Sequence, residues 1–402
     1  MALIAVEEAE AYVLGLGAQL PAVRVPLREA CGLVTAADVV AGEAVPPFAN
    51  SAMDGYAVQA ADTADAPAQL EVVGFLAAGA APDVTVGPGQ AVRIMTGAAV
   101  PDGADAVVLV EETTTEGDRV TINISVEAGT AVRPPGDDIA AGAVVVATGT
   151  VLGPGHIGVL ASVGVETIEV VRRPRVGVLS TGDELVEGSA PLAPGQIREA
   201  NRPALLALVA QCGFEPVDLG IAADDEVSVT DAIERGVADC DLVLTSGGVS
   251  MGDLDFVKVV LDRLGEMRWM QIAIKPAKPL AAGVVQGVPV VGLPGNPVSS
   301  LVSYELFAHP LLRKLAGHAR LRRPRLPGVS DDGVRRHPDG KTHFVRVVAE
   351  PDEAGVWHAR SAGGQGSHQL AGMAAANALA VVPDGPGVPA GGPLDLLLLA
   401  WP

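Results

Sequence analysis

Apolar residues recur at helical spacing near the start of the chain. Val6, Ala9, Val13 and Leu14 share one face over residues 5–18, and Gly15 and Gly17 close the pattern. Residues 27–45 form a short mixed segment. The stretch from Pro46-Pro47 to Met53-Asp54-Gly55-Tyr56 is rich in turn-formers and reads as a loop. Between 69 and 150 the rhythm changes. Valine-rich runs at 70–75, 90–95, 105–111, 119–124 and 143–147 alternate with turns at Pro88-Gly89, Pro101-Asp102-Gly103 and Pro135-Gly136. That pattern predicts short β-strands in a small barrel or sandwich. Residues 154–170 predict one helix and one strand.

From residue 173 strands and helices alternate. Strand Val176–Ser180 leads to Thr181-Gly182-Asp183-Glu184, and a helix begins at Asn201, read as its N-cap, and ends before Gly213. Strand Glu215–Leu219 precedes Asp224-Asp225 and a helix over 226–238. Strand Leu242–Thr245 runs into Ser246-Gly247-Gly248 and a helix over 253–264. Strand Val288–Gly292 runs into Leu293-Pro294-Gly295-Asn296-Pro297 and a helix over 298–315. This alternation predicts a doubly wound parallel sheet. The basic, proline-rich segment 320–327 marks a boundary, and 328–402 predict a second small β unit.

At 402 residues, the chain has the length of two to four domains. Hydrophobic residues make up 49% and charged ones 19%, a globular balance, but aromatics are only 3%, so aliphatic side chains must fill the cores. The formal net charge of −21 repels polyphosphate backbones and argues against nucleic-acid binding. No apolar run approaches the ~20 residues of a membrane span, and the N-terminus lacks a signal-peptide pattern. Cys31, Cys212 and Cys240 are widely spaced and form no CxxC pair, which fits a reducing, cytoplasmic setting.

Ligands of open α/β sheets sit at the carboxyl ends of the strands. Three glycine-rich loops occupy that position here: 180–184, 245–255 and 292–299. Glycine lets backbone approach an anion closely, so these loops predict a phosphorylated ligand; an ordinary βα turn is the plainer reading of any one of them. Asp183, Glu184, Asp253 and Asp255 beside a phosphate site predict a Mg²⁺ held by one or two carboxylates and phosphate oxygens. For Asp253, a favourable charge in a helix's first turn is the competing reading. Lys275 and Lys278, in the proline-stiffened run Lys275-Pro276-Ala277-Lys278-Pro279, read as aimed at a shared anion or as solvated surface lysines. Asp54 is either a functional acid or a turn-former, and Thr96 has the same ambiguity. The histidines show no metal-ligand spacing, and neither a GxSxG elbow nor a Walker A loop is present.

Taken together, PPFANSAMDGYAV (46–58), RIMTGAAVPDGADAVV (93–108), RPPGDDIAAG (133–142), LSTGDEL (179–185), GQIREANRPAL (195–205), TSGGVSMGDLDFVK (245–258), KPAKP (275–279) and GLPGNPVSS (292–300) resemble one family. It is the molybdopterin molybdenumtransferases, the MoeA proteins, which include the E-domain of gephyrin. The resemblance spans about residues 1–380. It implies an α/β and β multi-domain fold. A connecting domain would cover 1–45 plus 134–172, its first helix packing on the α/β domain. A β-rich inserted domain would cover 46–133, a central doubly wound parallel-sheet domain of molybdopterin-binding type 173–322, and a C-terminal β-barrel 323–402.

The implied activity is the last step of molybdenum-cofactor assembly. Molybdate and adenylylated molybdopterin are the substrates, Mg²⁺ the cofactor, and AMP and metallated cofactor the products. A homodimer is implied, with a molybdopterin adenylyltransferase upstream and molybdoenzyme acceptors downstream. Carried over by position, Asp54, Thr96, Glu184, Asp255, Lys275 and Lys278 fall on catalytic positions. Thr181, Gly182, Asp183, Asp224, Ser246, Gly247, Gly248, Ser250, Gly252, Pro294, Gly295, Asn296, Pro297 and Ser367 fall on ligand-binding ones, and Glu184, Asp255 and Asp138 on metal-binding ones. Two departures stand out: Gln271 where relatives often carry lysine, and Ala277 where KPGKP is common. Two rival readings are adenylylation, since the α/β domain alone also resembles the adenylyltransferases, and a peptide-binding scaffold with a dead site. The sequence does not separate molybdate from tungstate.

Overall fold

The computed structural model describes residues 3–249 and 256–399. Its central sheet is built from β1 (Arg175–Thr181), β2 (Glu215–Ala222), β3 (Leu242–Ser246), β4 (Gly265–Gln271), β5 (Pro279–Val285) and β6 (Val288–Leu293), in the order β2-β1-β3-β6-β5-β4. β1 runs parallel to β2 and β3, and β3 parallel to β6. Helices α1 (Asn201–Gln211), α2 (Glu226–Asp239), α3 (Phe256–Leu264), α4 (Pro297–Ser303) and α5 (His309–Leu315) cover it. Alternate residues face opposite layers, as a strand's period of two requires. Leu242 and Leu244 join Leu205, Val209 and the Ala9 and Val13 of helix Val6–Gly15 in one core, whereas Val243 joins Val229, Ile233 and Val260 in the other.

The outer edge departs from a purely parallel sheet: β6 pairs antiparallel with β5, and β5 with β4. Gln286 (φ 50°) and Gly287 (φ 86°) form the two-residue link between β5 and β6. Two consecutive residues at positive φ suit the right-handed twist of a hairpin. The β4–β5 connection is the segment that carries Lys275 and Lys278.

The predicted helix over 298–315 is three pieces: α4, a π-helical turn at Tyr304–Ala308 and α5. Pro310 removes one backbone donor just past the π turn. The turn buries Tyr304 and Glu305. Glu305 accepts from Arg323 at 2.8 and 3.2 Å, and Glu10 accepts from Arg322 at 2.6 and 2.9 Å. The basic segment 320–327 is therefore pinned to the α/β unit by two bidentate arginine pairs.

Around this unit, among the described residues, lie three further sheets of three or more strands. Ala22–Pro26, Thr167–Val171 and Val34–Thr35 form a three-stranded antiparallel sheet. A six-stranded sheet contains Gly55–Val58, Ala68–Leu76, Gln90–Ile94, Ala106–Leu109, Thr113–Glu116 and Arg119–Ile122. In the third, Thr342–Pro351, Trp357–Ser361, Arg325–Ser330, Pro393–Leu398 and Ala378–Val382 pair in sequence, and the last pairs back onto the first, closing a five-stranded barrel. Ile274–Lys275 adds to this barrel, with Lys275 in register with His343. Among the described residues, no helix is long and apolar enough to cross a membrane.

Candidate active site

At the carboxyl ends of β1, β3 and β6 lies a cavity of about 400 Å³. Thr181, Gly182, Glu184, Asp224, Ser246, Gly247, Gly248, Gly295 and Pro297 all line it. The three loops singled out in the sequence thus converge on one space. Gly182 (φ 141°) has Glu184 folded back over it: a Cβ there would lie 2.4 Å from Glu184 Oε2. Gly248 (φ 71°) packs so closely on α3 that a Cβ would sit 2.3 Å from Val257 Cβ. The amide of Gly247 donates to the Leu293 carbonyl at 3.1 Å, so this glycine offers a ligand close approach rather than a free donor. Asp183 is exposed, does not line the cavity, and accepts from the Asp224 amide at 3.1 Å. Asn296 and Pro294 belong to the third loop but do not line the cavity. Ser250, Gly252, Asp253 and Asp255 lie outside the described residues.

Replacing Gly248 by alanine is expected to destabilise the α/β unit by at least about 2 kcal/mol, because a left-handed alanine costs about 1–2 kcal/mol before the Val257 clash is relieved. Urea denaturation followed through Trp269, which lies on β4, measures this. An unchanged midpoint would contradict the geometry.

The cavity has a further wall that sequence reasoning did not assign: Arg198, Glu199 and Asn201. The sequence reads Asn201 as an N-cap, but it is the first helical residue, and its side-chain Nδ2 donates instead to Ser246 Oγ (2.8 Å) and the Gly295 carbonyl (2.7 Å). It ties the second and third loops together. Glu199 caps α1, accepting from the Arg202 amide at 2.9 Å and Ser180 Oγ at 3.2 Å. Its other oxygen is buried 3.7 Å from Arg202 Nε. Buried Arg202 also pairs with Glu187 (2.9 Å) and Asp218. The usable signal was the run Gly195-Gln196-Ile197-Arg198-Glu199-Ala200-Asn201, which belongs to the resemblance but contains no glycine-rich loop.

Lys275 and Lys278 do not line this cavity. They line a second pocket of about 290 Å³ together with Ser299, Lys341, Gln365 and Ser367. Lys341, 66 positions beyond Lys275, was not predicted. Asp339 holds it at 3.2 Å and also contacts His343 and Arg336. Burial opposes the Asp339 charge, but the hydrogen bonds from His343 and Lys341 prevail and hold its pKa at about 2. Ala277, buried between the two lysines, adopts φ 72°, so the position where glycine is common does require a left-handed backbone. The two pockets flank α4: Pro297 lines one, Ser299 the other, and between them the Val298 amide donates to the Ser367 carbonyl at 3.1 Å.

Asp54 and Thr96 meet in the β-rich unit, where Thr96 donates to Asp54 Oδ1 from its amide (2.7 Å) and its hydroxyl (2.8 Å). These bonds, backbone first, hold the Asp54 carboxyl below its usual pKa, with a smaller contribution from the charge of Arg93. The amide of Asp138 donates to the Val45 carbonyl at 3.0 Å. Neither Asp54, Thr96 nor Asp138 lines the two pockets. Among the described residues no three His, Cys, Asp or Glu side chains cluster as a metal site. Glu184 and Asp224 do line the same cavity, and a pair of acids matches Mg²⁺ when phosphate oxygens complete the shell.

Three family models cover the chain: the MoeA N-terminal region (domain I and II) at residues 4–164, the probable molybdopterin binding domain at 177–314, and the MoeA C-terminal region (domain IV) at 333–399. Molybdopterin molybdenumtransferase 2 of Mycobacterium tuberculosis is 40% identical over 372 residues, covering 90% of this chain and 91% of that protein. The Haemophilus influenzae molybdopterin molybdenumtransferase is 38% identical, covering 89% and 88%. The crystal structure of the molybdopterin biosynthesis MoeA protein from Pyrococcus horikoshii OT3 superposes with a TM-score of 0.84 at 29% identity, covering 99% of this chain and 100% of that one. With all three regions present in order and relatives matched along nearly their whole length, the chain belongs to the MoeA family, the molybdopterin molybdenumtransferases.

Proposed function

We propose that the chain inserts molybdate into adenylylated molybdopterin, releasing AMP and the metallated cofactor. The observation that carries this reading is the pair of pockets on either side of α4. The larger, with its glycine loops and acids, suits a phosphoanhydride with a divalent ion. The smaller, with three lysines, suits a tetrahedral dianion. Cleaving a phosphoanhydride demands charge neutralisation more than a strong nucleophile. Lys275, Lys278 and Lys341 bind and orient molybdate, with Ser367 at the same pocket. Thr181, Gly182, Asp224, Ser246, Gly247, Gly248, Gly295 and Pro297 shape the seat of the pterin phosphate, and Asp183, Pro294 and Asn296 support the loops around it. Ser250 and Gly252, outside the described residues, are assigned to the same ligand by the family resemblance.

Glu184, with Asp255 and Asp138, would hold the Mg²⁺. When bound, the ion offsets phosphate charge. Asp54, Thr96 and Asp138 reach the cavity from a second copy in a homodimer. Exposed Phe48 (48%) and Met53 (45%), on the loop that carries Asp54, support such a contact, since large apolar side chains grouped on a surface mark interaction sites. In this reading the substrate arrives from a molybdopterin adenylyltransferase and the product passes to apo-molybdoenzymes in the cytoplasm.

Glu184→Gln keeps size and hydrogen bonding but removes the charge. Its AMP release is expected to fall by at least about tenfold, with apparent Mg²⁺ affinity falling alongside. A variant with full activity would take Glu184 out of the metal's shell.

A further inference from the structure

Away from both pockets, a third cavity of about 230 Å³ lies in the seam between the three-stranded sheet and the α/β unit. Gly32, Leu33 and Val171 close it from one side, and Cys212, Phe214 and Arg313 from the other. Its charged lining is Arg172, Arg173 and Arg313, with His318 beside them, and no aspartate or glutamate lines it. In a chain of net charge −21, such a concentration of cations calls for an explanation.

Arg172 is already neutralised, gripping Asp241 at 2.5 and 2.6 Å. The other two arginines are not. Arg313 donates its Nε to the Arg320 carbonyl at 2.6 Å, and neither it nor Arg173 forms an ion pair among the described residues. Two guanidinium groups, exposed Arg173 and half-buried Arg313, thus line one cavity with no counter-charge on its wall. His318 lines the same cavity and its Nδ1 is buried without a hydrogen-bond partner, a deficit worth about 1–3 kcal/mol. Burial, with the charge of Arg323 added, makes the charged form of Arg313 harder to keep. An anion would offset the charge of both arginines, and planar guanidinium forks suit phosphate-type oxygens in particular.

We propose that this seam is a binding site for a phosphate-class oxyanion, held by Arg173 and Arg313 with His318 as a supporting donor. Residues 172–174 are the link between strand Thr167–Val171 and β1. Arg313 sits on α5, so an anion held by both arginines clamps the joint between the two units. The proposal is independent of the molybdate reading and of the lysine pocket.

The test is titration of the full-length protein with inorganic phosphate at constant ionic strength, read by calorimetry and by the melting temperature. A parallel series with AMP distinguishes the free ion from a phosphomonoester. The Lys275→Ala/Lys278→Ala background removes binding at the lysine pocket. Saturable binding with a Kd at or below about 1 mM is expected in that background. Arg173→Ala, a change at an exposed residue, is expected to weaken it by about tenfold. Arg313→Gln should do the same, and Arg173→Lys should restore part of the loss. Non-saturable binding, or saturable binding that survives Arg173→Ala unchanged, would overturn the proposal. So would binding that disappears in the double-lysine background.

Discussion

Replacing Lys275 and Lys278 together by alanine is expected to raise the molybdate concentration for half-maximal turnover by about 100-fold or more. Each lysine offers a charge-assisted hydrogen bond of about 1.5–3 kcal/mol to an oxyanion, and each 1.4 kcal/mol is a factor of ten. The fold fixes the backbone at both lysines independently of their charge. Ile274 and Ala277 are buried on either side of Lys275-Pro276, and Lys275 is registered against His343 of the barrel. Both lysines are exposed, so the double variant should unfold within about 0.5 kcal/mol of wild type. Initial rates of AMP release against molybdate concentration separate the two effects. A loss confined to the molybdate dependence is the predicted result. An unchanged dependence would remove the lysine pocket from the reaction. Lys341→Ala should give a smaller shift of the same kind.

The largest effect on stability is expected at Arg323. Arg323→Met removes the only ion-pair partner that Glu305 has among the described residues, and leaves a carboxylate buried beneath the π turn. Breaking a buried pair from one side costs about 3–5 kcal/mol. Burial already pushes the Glu305 pKa above its ordinary value, outweighing the Arg323 bonds. The sign of the pH effect follows. A carboxyl whose folded pKa is raised binds more protons folded than unfolded, so its contribution to stability falls as pH rises above the unfolded value of 4.5. Without Arg323 the folded pKa rises further, so the variant's deficit should widen from acid to neutral pH. Adding Glu305→Gln should recover most of the loss. Urea denaturation across that pH range, followed through Trp269, measures both. A single variant as stable as wild type would show that the segment 320–327 is not anchored as described.

The parts of the fold that were legible in the sequence share a physical origin. β1, β3 and β6 are buried on both faces and read as continuous apolar runs, each followed by glycine and then a helix. The antiparallel run of β4, β5 and β6 was not legible. β4 is only partly buried and mixes Glu266, Arg268 and Trp269, and Gln286 is an unusual residue for a turn with two positive φ angles. The π turn was hidden because its side chains keep a helical apolar rhythm. In the site, glycine-rich loops announced themselves by composition. Asn201 did not, because an asparagine at a helix start has a simpler reading as a cap. Lys341 was invisible for a different reason: it comes to Lys275 through a barrel strand 66 positions away, and no local pattern records that pairing. The Asp54–Thr96 pair shows the limit from the other side. The residues were singled out individually, but the bonds that join them across 42 positions belong to the folded sheet.

The most direct measurement mixes the purified chain with adenylylated molybdopterin and Mg²⁺, adds molybdate, and follows AMP together with the capacity of the product to activate an apo-molybdoenzyme. The predicted result is AMP release that rises with molybdate, in step with active cofactor. AMP release no greater than in the molybdate-free control, with no active cofactor formed, would contradict it.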